Sequence, residues 1–252
     1  MTEGPSIDSI DNEVRRQAYA AMGQQVQLLD DLILHINHGT AMLTGRQHDR
    51  GLNLLTGLLL NRAFNSLWRA REDAVCGYHA ESLTLCRSVV EHWAAARWVE
   101  FHPEAHDRWL WAVLEEVQRP AKNIPDVSQM LSELGVLGKR VAEIYDVLSK
   151  FAHPRSIGLR WLIHFDTEAT HFRAAGYYDE HGLKVCLYFL IGMAQACLEP
   201  VARLQNRMVG SVEEAWLKHG KELSNRAEPF MEEVEREVAE RVAEADKLLD
   251  GS

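Results

Sequence analysis

"AESLTLCRSVVEHWAAARW", Ala80 to Trp98, is the stretch whose reading decides the fold. Leu83, Cys86, Val90 and Ala94 make one apolar face at helical spacing, and Leu85, Val89, Trp93 and Ala96 make another. A helix apolar on both flanks belongs inside a bundle. Between the two faces Thr84, Arg87, Ser88 and Glu91 fall at i, i+3, i+4 and i+7, a narrow polar line predicted to face other protein. Arg87 precedes Glu91, the less favourable order for an intrahelical pair, so helix stabilisation is a weak reason for both. Buried ions need partners. A structural network and a functional site are both open explanations.

Outward from this helix, apolar residues recur at helical spacing almost throughout, which predicts an all-α, multi-helix bundle. Helices are expected over Ser9 to His38, stopped by Gly39; over Gln47 to Cys76, stopped by Gly77; and over Tyr78 to Phe101. A fourth is expected from Pro103 to Gln118. After the loop "RPAKNIPD", Asp126 caps a short helix ending near Gly135, and a sixth covers Arg140 to Ala152. Trp161, Ile163 and Phe165 then alternate at period two, which predicts a small β-hairpin insertion. Helix resumes from Asp179 to Arg207 with Gly210 as its stop. Ser211 and Glu214 read as a capping box for a C-terminal amphipathic helix that Pro229 breaks or restarts. Its stripe is Phe230, Val234, Val238, Val242, Ala245 and Leu249, suited to docking on the body or on a protein partner. The organisation expected is a helical bundle domain over 1–210 and an acidic helical tail over 211–252.

The chain of 252 residues can bury a core without staples. Cys76, Cys86, Cys186 and Cys197 form no C-x-x-C pair and read as buried thiols. The polar N-terminus lacks a signal-peptide pattern, and "LNLLTGLLL" and "VCLYFLIGMAQACL" fall short of the ~20 residues of a bilayer span. A cytoplasmic location with no membrane contact is expected. The net charge of −10 argues against a general nucleic-acid coat. Most of it sits between Glu228 and Asp250, while Lys139 to Arg173 is mildly basic, so RNA stays open as a partner.

In "YDVLSKFAHPRS" Tyr145, Ser149 and His153 share one helix face, and Pro154 ends the helix with the imidazole at its rim. A histidine at a helix C-terminus can serve as acid or base near neutral pH, or bond a terminal carbonyl. The expected site brings Arg87 and Glu91 to Ser149 and His153. Glu168 and His171, with His164 and Asp166, give a single E-x-x-H spacing where a di-metal bundle needs two, so no metal is expected. No G-x-S-x-G elbow, phosphate-binding glycine loop or dinucleotide fingerprint is present, and no cofactor is expected.

"CRSVVEHWAAARWVEFHPE" followed by "IYDVLSKFAHPRS" resembles a family of bacterial helical proteins known only as a domain of unknown function, with recurring RS-x-x-E and S-x-x-x-H-P elements, over roughly Leu52 to Leu204. More distantly the chain resembles HEPN domains, helical bundles that include metal-independent RNases of toxin–antitoxin and antiviral systems. In those RNases an arginine precedes the histidine by a few positions and two copies meet at a cleft. Here Leu148 stands where that arginine is expected. The resemblance implies a homodimeric, RNA-targeting protein with His153 as general acid/base, Arg87 stabilising phosphoryl charge, Glu91 orienting Arg87, and Ser149 or Tyr145 placing the substrate. The alternative is a non-catalytic binding or scaffold module in which these residues form a buried network.

Overall fold

The computed structural model describes residues 6–43, 52–105, 109, 124–152, 163–165, 170–172 and 176–250. The fold is all-α. Helix α1 spans Ile7–Ala41. It starts at Ser6 rather than Ser9, because the Ser6 hydroxyl accepts the Ser9 N–H at 3.2 Å. Nor does Gly39 stop it. A Cβ at Gly39 would lie 2.8 Å from the Trp216 ring, so this glycine serves close packing instead.

Helix α2 spans Leu52–Val75, and its expected first turn at Gln47 lies outside the described residues. Gly77, at φ +82°, ends it as the spacing predicts. The Gly77 N–H bonds Ala74 O at 3.2 Å and the Tyr78 N–H reaches back to Asp73 O at 2.8 Å, the paired bonds of a glycine C-cap. Helix α3 covers His79–Phe101. The expected helix over Pro103 to Gln118 falls largely outside the described residues.

Helix α4 is Val127–Glu133, capped by the Asp126 carboxylate on the Gln129 N–H at 2.8 Å. Helix α5 is Gly135–Ala152, five residues longer at its start than the apolar periodicity suggested, with Gly135 at φ +69° turning directly out of α4. Strands β1, Ile163–Phe165, and β2, Thr170–Phe172, pair antiparallel with His164 opposite His171. Helix α6 is Glu180–Val209, capped by Asp179 and ended by Gly210 at φ +79°.

Helix α7 is Glu214–Asp250 and continues through Pro229 without a break. The proposed capping box does not form, since the helix opens at Glu214 with the Leu217 N–H on Glu213 O at 3.1 Å, leaving Ser211 outside.

Helices α1, α2, α3 and α6 enclose the core, with α2 and α6 each packed on α1, on α3 and on each other. Both apolar faces of α3 are used: Leu83, Cys86, Val89, Val90, Trp93, Ala94 and Ala96 are all buried. Helices α4 and α5 pack on α3, and α7 runs antiparallel along α1 and α6. Trp216, Leu223, Ala227, Phe230 and Val234 dock α7, helped by Lys184 Nζ at 2.6 Å from both Glu233 and Glu237. By length and composition α6 alone among the described helices could cross a membrane, but its Leu187, Leu190, Ile191 and Ala194 are fully buried in this bundle.

Candidate functional site

The polar line of α3 meets α5 as expected at one point, Tyr145. Arg87 Nη2 donates to the Tyr145 hydroxyl at 3.0 Å, and that hydroxyl donates to Glu91 Oε1 at 3.2 Å. Arg87 Nε lies 3.2 Å from the same carboxylate oxygen, an ion pair by distance without hydrogen-bond alignment. The guanidinium carbon is 5.1 Å from the centroid of the Tyr145 ring, within cation–π range. One tyrosine therefore contacts both charges and ties the two helices together.

The triad is not sealed. Arg87 and Glu91 side chains retain 25% and 34% of their exposure, so water screens the pair and reduces its worth. Toward the N-terminus of α3 the polar line opens to solvent, where exposed Thr84 turns its hydroxyl back to Ala80 O at 2.9 Å. Chemically, the arrangement holds a cation rigidly at a half-open seam, with a carboxylate competing for it.

Ser149 is half-buried one turn beyond Tyr145, and among the described residues it makes no hydrogen bond to Arg87 or Glu91. His153 follows the last residue of α5 and lies outside the described residues. Leu148, at the place of the motif arginine, is fully buried among the core residues. It cannot present a polar group to a ligand.

The E-x-x-H segment is only partly described: Asp166 and Glu168 lie outside the described residues. Among the described residues no three His, Cys, Asp or Glu side chains are grouped to hold a metal. All four cysteines are free and buried. Burial pushes the Cys86 and Cys186 thiols well up and Cys197 up to about 12, which leaves them as thiols rather than nucleophilic thiolates.

Two ionic clusters were not anticipated. Arg71 of α2, 5% exposed, binds both oxygens of Asp30 at 2.6 Å, Glu72 at 2.7 Å, and the Tyr19 hydroxyl. Burial alone would lower its pKa, but the bonds to Asp30 and Tyr19 more than offset it and hold the charge. At the other end of the bundle, Glu100 accepts from Arg97 at 2.8 Å and from Arg207 at 2.6 Å. The available signal was an arginine at a position where the helix period calls for an apolar residue: Arg71 follows Ala63, Leu67 and Ala70 on the buried side of α2.

Comparison of the chain with protein-family models, with curated proteins and with solved structures finds no match in any of the three.

Proposed function

We propose that this protein acts on RNA as a HEPN-like helical module, with the α3–α5 seam as its contact site. The observation that carries this reading is Arg87, held by Tyr145 and Glu91 yet a quarter exposed at the mouth of the seam. A guanidinium fixed in this way offers bidentate donors to a phosphodiester oxygen without paying to order its own side chain at the moment of binding. On this reading Glu91 sets the orientation of Arg87, and Tyr145 passes the pair's geometry from α3 to α5. His153 would supply acid/base chemistry at the rim, moving a proton onto or off the reacting oxygen. Ser149 would contact the substrate backbone.

A second reading is favoured by a specific observation, the complete burial of Leu148. With no arginine beside the histidine, and with Glu91 neutralising Arg87, the same residues serve as a lock between α3 and α5 in a non-catalytic binding module. Incubation of the purified protein with end-labelled single-stranded RNA separates the two. Cleavage lost in His153→Ala and in Arg87→Ala supports the enzyme. Binding without cleavage supports a targeting module, and neither binding nor cleavage leaves the lock alone.

A further inference from the structure

The outward face of α2 has the pattern of a helix waiting for another helix. Leu54, Leu58, Asn61, Asn65 and Trp68 succeed one another at four, three, four and three residues, the period of a coiled-coil seam. Leu58 and Trp68 are nevertheless 43% and 46% exposed. Asn65 Nδ2 donates to Asn61 Oδ1 at 2.9 Å, which places an uncharged amide pair midway along the stripe, and asparagine within such a seam is a device for fixing register. In a chain of net charge −10, Leu52 to Arg71 contains no carboxylate. Arg62 and Arg69 flank the stripe, and Arg69 has only a distant neighbour in Asp73 at 3.9 Å.

The end of α7 carries the complementary pattern. Its apolar stripe is buried against its own bundle as far as Phe230 and Val234, 6% and 5% exposed, and then leaves it, with Val238 54% exposed. Val238, Val242, Ala245 and Leu249 continue at four, three and four residues. Acidic residues outnumber basic ones two to one between Val238 and Asp250. Because α7 is one unbroken helix to Asp250 and packs along α1 and α6, this end cannot turn back onto its own α2.

We infer that the outer face of α2 binds the acidic end of α7 from a second copy of the chain. Both stripes share the heptad spacing, and a carboxylate-rich helix meets a stripe flanked by Arg62 and Arg69, with no acid between Leu52 and Arg71. Reciprocal exchange uses the contact twice and closes a twofold dimer with no open surface left to propagate.

The test is sedimentation velocity on full-length protein. Wild type is expected to be a dimer that weakens as salt is raised. Trp68→Glu, which spoils the face, and Leu249→Glu, which spoils the tail, should each weaken it by about tenfold or more, with Leu58→Glu as a second face variant and circular dichroism to confirm folding. An equimolar mixture of the Trp68→Glu and Leu249→Glu proteins should form a heterodimer through the one intact contact. A monomeric wild type, a dimer indifferent to these variants, or a mixture that fails to pair would each overturn the inference. So would a monomeric wild type whose affinity for single-stranded RNA is lost in Trp68→Glu, which would assign the stripe to base stacking.

Discussion

Trp93 supplies the hydrogen bond that Pro200 withholds. Proline has no N–H, so Pro200 within α6 leaves the carbonyl four residues earlier, Ala196, without its helical donor. The Trp93 indole Nε1 of α3 donates to that carbonyl at 2.9 Å. Trp93 is fully buried and Ala196 half-buried, so the indole is the donor that satisfies this carbonyl within the helix packing.

Trp93→Phe should therefore cost more than lost packing, with about 1 kcal/mol or more assignable to the unsatisfied carbonyl. The assignment is checked by a double-mutant cycle with Pro200→Ala, which restores a backbone donor to Ala196. The cost of Trp93→Phe should be smaller in the Pro200→Ala background by about that amount. Equal costs in the two backgrounds would mean the indole bond is incidental.

Acid should loosen the fold through two histidines held neutral. His35, 5% exposed, stacks on Trp216 at 4.5 Å and meets the edge of His219 at 5.0 Å, while its Nε2 faces Gly220. Burial, with His219 and His38 adding repulsion, lowers its pKa to about 4 against a backbone bond at Trp216 that opposes the shift. Burial does the same to His79, also to about 4, with Asp179 opposing. A histidine whose folded pKa is depressed leaves stability untouched above pH ~6.5 and removes it progressively as pH falls toward ~4, where the unfolded chain binds the extra proton. Each residue accounts for up to about 3 kcal/mol over that window. Urea unfolding across the same window should show the decline, and His35→Phe, which keeps a ring against Trp216, should flatten it. An unchanged slope in that variant would remove His35 from the account.

Arg71 is expected to be the most sensitive charged position in the bundle. Arg71→Met strips Asp30 of the guanidinium that bonds both its oxygens, while Glu72 keeps Arg15 at 3.0 Å, and removing one partner of a buried pair costs about 3 to 5 kcal/mol. Thermal unfolding reads the loss. A loss below about 1 kcal/mol would place the cluster with ordinary surface ion pairs.

The α3–α5 triad should behave as a coupled but modest unit. Tyr145→Phe removes a hydroxyl that accepts from Arg87 and donates to Glu91, at a cost of about 1 kcal/mol given the partial exposure. Combined with Arg87→Met it should show a coupling of about 0.5 kcal/mol or more, measured by denaturant unfolding of the four proteins. Strict additivity would mean that the 3.0 Å contact carries no energy.

Where a residue type has one dominant local consequence, the sequence was readable. Gly77 and Gly210 stop their helices through positive φ, Asp126 caps its own, and the two apolar faces of α3 are both buried. Tyr145 met the polar line because helix periodicity puts it on the face that α3 needs. Gly39 and Pro229 misled for the same reason: each has a second use, close approach to Trp216 in one case and tolerated placement inside a long docked helix in the other. The Arg71 cluster joins residues of α1 and α2 far apart in sequence, and no local pattern announces a partner at such a distance. At the site, Arg87 and Glu91 were legible as a polar line, but the depth of their burial depended on how closely α5 covers α3, which only packing determines.

The proposed role of the seam is tested most directly by equilibrium binding of a fluorescently labelled single-stranded RNA to wild type and to Arg87→Ala and His153→Ala proteins with unchanged circular dichroism. Wild type should bind with an affinity that falls as salt rises, and Arg87→Ala should weaken binding by about tenfold, the worth of one charge-assisted contact. His153→Ala should spare binding and abolish any cleavage seen in the wild type. A wild type that does not bind RNA, or an Arg87→Ala protein that binds as tightly as wild type, would contradict the account.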